Sequence, residues 1–187
     1  MTLLVDAGNS RVKWGHYAQG ALVPGASVGY DGPGLEANLE NALGAIAPPA
    51  RVLLCTVADD AASRRLVRWL RNRWPAPVAQ VVPGRRGCGV RNAYAEPERL
   101  GADRWAALVG ARAAFPGRPL CVVDAGTAVT VDALDEQGVH AGGLIVPGLA
   151  LARGTLAERT GRIGSAEGGD EEGGLELGGS TRDAVRN

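Results

Sequence analysis

The chain has 187 residues, enough to bury a real core and to form one large or two small domains. Its 20 lysine and arginine residues balance 20 aspartate and glutamate residues, so the formal net charge is zero, which argues against a nucleic-acid partner. No apolar run is long enough to cross a bilayer, and the N-terminus opens on a strand pattern and not on a signal peptide.

Cys55, Cys88 and Cys121 are widely spaced, with only His16 and His140 to complement them. That composition points away from a zinc site and towards reduced thiols in a cytoplasmic protein. Arginine supplies nearly all the positive charge, and Lys13 is the only lysine.

In chain order, strands are expected at about 2–5 and 11–17, and a third at about 21–30 follows the Gln19-Gly20 turn. Leu35, Leu39, Leu43 and Ile46 recur at helical spacing after Pro33-Gly34, and Pro48-Pro49 should end that helix. The apolar run 51–57 predicts a central parallel strand. Asp59 or Asp60 can cap the next helix, whose buried stripe is Ala62, Leu66, Leu70 and Trp74. Its arginines (Arg64, Arg65, Arg68, Arg71 and Arg73) form a solvated face. A strand at 78–82 completes a β-β-β-α-β-α-β order.

Residues 83–93 form a connection rich in glycine and arginine. Beyond Tyr94, an alanine-rich helix follows Gly101-Ala102-Asp103-Arg104 and runs to about Phe115. Strands are then expected at about 120–124, 128–134 and 139–146, with a helix at about 149–159, so the β-β-β-α opening occurs twice. This makes an α/β protein with lobes at 1–95 and 96–187. Residues 161–179, rich in Gly and Glu, are expected to be a loop, and Ser180-Thr181-Arg182-Asp183 to start a helix. By analogy with the first lobe, the second is incomplete, which implies a shortened form of a longer protein with an exposed sheet edge and apolar face.

The chemistry concentrates where an apolar run ends in Asp-Ala-Gly, at Asp6-Ala7-Gly8-Asn9-Ser10 and again at Asp124-Ala125-Gly126-Thr127. One such turn is an ordinary hairpin; two, each flanked by strands, suggest related lobes offering turns to one phosphate-bearing ligand. Gly8 and Gly126 lack a Cβ, so each turn can take a positive φ and let an oxyanion approach its N–H groups. Asn9, Ser10 and Thr127 add donors. Lys13 adds a compact positive charge, and Asp6 and Asp124 could hold a cation or its waters. There is no GxxxxGKS/T loop.

In combination these segments resemble the type III pantothenate kinases, of the superfamily of acetate and sugar kinases, heat-shock ATPases and actin. DAGNSRVKWG at 6–15 resembles the first phosphate motif of that family, with Ser10 where threonine is more usual. GADRWAA at 101–107 resembles its substrate and catalytic motif, DAGTAVTVD at 124–132 its second phosphate motif, and GGLIVPGLALA at 142–152 the strand and helix after it. The family's later glycine-rich segment near the adenosine has no counterpart here.

The resemblance implies two RNase H-like lobes and transfer of the γ-phosphoryl of ATP to pantothenate, the first step of coenzyme A synthesis. It makes Asp103 the general base, and gives ATP to Asp6, Ala7, Gly8, Asn9, Ser10, Arg11, Val12, Lys13 and Thr127. Pantothenate falls to Tyr94, Gly101, Ala102, Asp103, Arg104 and Thr181, with the Arg104 guanidinium suited to a two-pronged grip on a carboxylate. Asp124 matches the position of a monovalent cation (K⁺ or NH₄⁺), and Asp6 is the candidate for Mg²⁺ through water. The family is typically dimeric. The competing expectation is a non-catalytic accessory protein of the same fold, or a fragment inactive without its missing part.

Overall fold

The computed structural model describes residues 1–29 and 34–160. Five strands form the first sheet: β1 (Thr2–Ala7), β2 (Arg11–Ala18), β3 (Ala21–Gly29), β4 (Arg51–Thr56) and β5 (Val78–Gln80). Their order is β3-β2-β1-β4-β5, antiparallel from β3 to β1 and parallel from β1 to β5. Helices α1 (Leu35–Leu43) and α2 (Asp60–Arg73) cover one face.

Alternation decides which side chains enter that core. Leu3, Val5 and Ala7 of β1, Val12 of β2, and Val52 and Leu54 of β4 all point to the helix side. They meet Leu35, Leu39 and Leu43 of α1, and Leu66, Leu70 and Trp74 from α2 and its end. Each fully buried leucine of this kind contributes about 1.5–3 kcal/mol. The Asp59 carboxylate accepts from the Ala61 and Ala62 amides at 2.8 and 3.0 Å, capping α2.

Helix α1 ends earlier than Pro48-Pro49 would require. The Gly44 amide closes its last turn on the Glu40 carbonyl, and Ile46 packs on the core from beyond the helix. The connection at 83–93 holds a small hairpin, β6 (Arg86–Gly87) and β7 (Val90–Arg91). Its two central residues, Cys88 and Gly89, have φ of 49° and 80°, the sign pattern of the tight turn that matches strand twist. A short 3₁₀ turn at Pro97–Arg99 leads to α3 (Ala102–Ala114), which packs on β4 and β7. Trp105 and Leu108 of α3 share a second core with Val90, Leu100 and Leu134.

Strands β8 (Leu120–Ala125), β9 (Ala128–Leu134) and β10 (His140–Pro147) form a sheet of order β10-β9-β8, followed by α4 (Leu149–Arg159). The β-β-β-α opening therefore appears twice, as expected. The described residues divide into two compact units, one within 1–122 and 132–143, the other of 123–131 and those from 144 onward. In the second unit α4 buries no residue, and Leu144 and Ile145 are 67 % and 62 % exposed.

Candidate active site

In the first unit, Asp6 and Lys13 face each other across the antiparallel β1–β2 pair, and Asp6 stands level with Cys55 of β4 on its other side. Lys13, Asp6 and Cys55 therefore form a row across the sheet face opposite the α1–α2 core. Ala7 and Val12 point into that core and are fully buried, so only their main chain can reach a ligand. Asn9, Ser10, Arg11 and Lys13 are exposed around the turn, and Arg11 Nε donates to Ser27 Oγ of β3 at 3.0 Å.

The expected positive φ is not found at either Asp-Ala-Gly turn. Gly8 N–H donates to the Arg11 carbonyl at 3.0 Å, and Gly126 N–H to the Ala128 carbonyl at 3.0 Å. Each turn closes through that bond without left-handed backbone, and the glycine N–H is directed into the hairpin. A Cβ at either position would meet its nearest atom at 3.7 Å, ordinary contact.

Asp103 sits in the first turn of α3, where a carboxylate is favoured by the helix dipole. Its Oδ1 accepts from the Arg104 amide at 2.7 Å, satisfying an amide that has no partner within the helix. Gly101, the N-cap, leaves room for this carboxylate: a Cβ there would lie 2.4 Å from Asp103 Oδ1. The Cys55 thiol reports what surrounds it. Burial first, then the negative charges of Asp6 and Asp103, push its pKa up to about 12. The acid of α3 and the acid ending β1 thus act on one thiol within one compact unit, and that thiol stays protonated at neutral pH. Beside them runs an apolar groove of about 440 Å³, whose lining includes Leu4, Asp6, Lys13, Leu22, Cys55 and Ala106.

Arg104 turns the other way, into a buried polar cluster. Its Nε and Nη2 donate to Asp132 Oδ2 and Oδ1 at 2.8 and 2.6 Å, and its Nη1 to the Tyr94 hydroxyl at 3.0 Å. His140 Nε2 lies 2.8 Å from Asp132 Oδ1. A carboxylate can only accept, so Nε2 carries the hydrogen. Tyr94 stacks on the His140 ring with centroids 5.9 Å apart. Burial by itself would raise the Asp132 carboxyl, but the hydrogen bonds from Arg104 and His140 outweigh it and hold the group below the usual carboxylate range. The same bond to Asp132, seconded by Tyr94, pushes Arg104 upward. The two-pronged grip that Arg104 offers is thus made on an internal carboxylate.

The loop carrying Tyr94 is pinned by two further side chains. Arg85 donates to the Tyr94 and Ala95 carbonyls at 3.0 and 2.8 Å. Buried Asn92 accepts from the Tyr94 amide and donates to the Pro97 carbonyl, both at 3.0 Å. Sequence reading missed Arg85, Asn92, Asp132 and His140. The available signals were Asp132 closing the second repeat and His140 being one of two histidines.

In the second unit, Asp124 and Thr127 are exposed at the other turn. The Gly148 amide donates to the Thr127 carbonyl at 2.9 Å, which sets the N-terminus of α4 against the turn. Gly148 is required there, because a Cβ would lie 2.2 Å from the Gly126 carbonyl oxygen. A helix N-terminus beside a hydroxyl-bearing turn suits an anion. Among the described residues no three His, Cys, Asp or Glu side chains group as metal ligands. Single carboxylates such as Asp6 and Asp124 fit a hard cation that takes its remaining oxygens from phosphate and water. Thr181 lies outside the described residues.

The sequence model of the type III pantothenate kinase family matches residues 2–187. A type III pantothenate kinase of Paraburkholderia phymatum is 41% identical over 175 residues, covering 86% of this chain and 59% of that protein. One of Halorhodospira halophila is 44% identical over 169 residues, covering 87% and 66%. The chain thus spans about three fifths to two thirds of the length of these curated relatives. Among solved structures, a protein described as a Baf family transcriptional activator from Campylobacter jejuni aligns with a TM-score of 0.55 at 18% identity, covering 98% of this chain and 71% of its own. One described as a 2-dehydro-3-deoxygalactonokinase from Sinorhizobium meliloti gives 0.50 at 17%, covering 86% and 58%. At such identities these two speak for the α/β fold alone. The match along nearly the whole chain, with its motifs in order, makes this protein a member of the type III pantothenate kinase family.

Proposed function

We propose that this protein phosphorylates pantothenate with ATP to give 4'-phosphopantothenate, the first step of coenzyme A synthesis. The reading is carried by the placement of Asp103 in the same compact unit as Asp6 and the first turn, both acids acting on Cys55. Family membership supports the substrates.

In this proposal Asp6 to Lys13 and Thr127 hold the phosphates of ATP. Asp103 accepts the proton of pantothenate's primary hydroxyl as that oxygen bonds to the γ-phosphorus. The bond from phosphorus to the bridging oxygen breaks and ADP leaves. A carboxylate is a weak base towards an alcohol, so proton transfer comes late. Such a group contributes about 10²–10⁴ in rate. Alignment and charge neutralisation supply the rest.

Tyr94, Gly101, Ala102, Arg104 and Thr181 complete the pantothenate side. Asp6 would hold Mg²⁺ through water and Asp124 a monovalent cation, K⁺ or NH₄⁺; bound there, these ions would neutralise phosphate charge. We further read residues 1–95 and 96–187 as the two lobes, and the protein as a cytoplasmic homodimer. No described helix is long and apolar enough to cross a membrane.

The experiment is ADP release measured with and without pantothenate, in the presence of ATP, Mg²⁺ and K⁺. Pantothenate-dependent ADP is the predicted result. ADP formation indifferent to pantothenate would overturn the assignment.

A further inference from the structure

We infer that Asp132 and His140 are positioning residues for the acceptor substrate, acting through Arg104 and Tyr94; this rests on the pantothenate kinase reading above. Arg104 follows the acid directly in sequence, yet its guanidinium is 6 % exposed and donates through Nε and Nη2 to Asp132. The bidentate bond fixes the plane of the guanidinium, and that plane fixes where Nη1 meets the Tyr94 hydroxyl. His140 supports both partners: Nε2 donates to Asp132, and its ring stacks on Tyr94 at an interplanar angle of 21°.

His140 is fully buried and its Nδ1 has no hydrogen-bond partner. A leucine of similar volume would avoid that unsatisfied atom, so simple packing does not account for an imidazole here. The bond to Asp132 and the face offered to Tyr94 do. Tyr94 is half-buried and its hydroxyl accepts from Arg104, which leaves its own hydrogen for an acceptor atom of a ligand. Arg104, with Asp132 on its fork, orients Tyr94 and does not serve as a free two-pronged receptor for a substrate carboxylate.

The test is steady-state kinetics of the protein and three variants. Asp132→Asn places an amide against the Nε–H of Arg104 and should raise the KM for pantothenate about tenfold, the size of one charge-assisted hydrogen bond. The KM for ATP should stay at the wild-type value. His140→Leu should shift the pantothenate KM in the same direction, and His140→Gln, which can present an N–H near the position of Nε2, should recover most of it. If Asp132→Asn does not fold, the Leu and Gln pair decides. Equal KM increases for both substrates, unchanged pantothenate KM, or no recovery by Gln over Leu would overturn the inference. Wild-type protein lacking pantothenate-dependent turnover would instead defeat the functional reading itself.

Discussion

The two sheets open with the same β-β-β-α order but bury very different amounts of apolar surface. In the first, strands β1 and β4 lie under two helices, and Leu3, Leu39, Leu54 and Leu70 are wholly removed from water. In the second unit Val123, Leu144, Ile145 and Leu149 are each more than half exposed, and α4 buries nothing. A repeated fold pattern thus sets the path of the backbone without supplying its cover. The acid and its polar cluster sit in the covered unit, and the second Asp-Ala-Gly turn sits in the bare one.

That contrast can be broken by substitution. Asp132→Ala would leave the Arg104 guanidinium buried without its partner, and should cost about 3–5 kcal/mol in a denaturant titration. A loss below about 1 kcal/mol would mean that the cluster is open to water. Leu54→Ala should cost about 2–5 kcal/mol by cavity formation, whereas Leu144→Ala should stay within about 0.5 kcal/mol. Similar losses at both positions would show that the second sheet is covered in solution.

Much of this was legible in the sequence because period and punctuation agreed. Leu35, Leu39 and Leu43 repeat at helical spacing and all enter the core, and Asp59 caps α2 where its position before the apolar stripe predicts. The end of α1 was not legible, because the chain leaves the helical ladder after Gly44, where the Ile46 amide turns back to the Leu43 carbonyl, before any proline is reached. The hairpin at Cys88-Gly89 was hidden since its strands are two residues each, too short to show alternation. The motifs marked Asp6, Tyr94, Asp103 and Arg104, but not the partner of Arg104. Asp132 lies 28 residues away, and only tertiary packing brings it to the guanidinium.

Acid should sharpen the view of the buried cluster. Because Asp132 titrates lower in the folded chain than in the unfolded one, its stabilisation is fully present above the unfolded carboxyl's pKa, about 3.9. It is lost as pH falls through the folded value. The stability gap between wild type and Asp132→Asn should therefore be constant near neutrality and close below about pH 4; a gap that widens on acidification would reverse the assignment. A small effect belongs to Glu36, whose hydrogen bonds with Arg65 hold its pKa at about 2. The pair is about half exposed, so Glu36→Gln should cost at most about 1 kcal/mol, and less in high salt. A larger or salt-independent loss would show that this contact between α1 and α2 is shielded from solvent.

Asp103→Asn is the most direct test of the central claim, that the acid on α3 takes the proton of the acceptor hydroxyl. Pantothenate-dependent ADP release should fall by at least about 100-fold, while a nucleotide titration gives the wild-type affinity. Turnover at the wild-type rate in that variant would contradict the account.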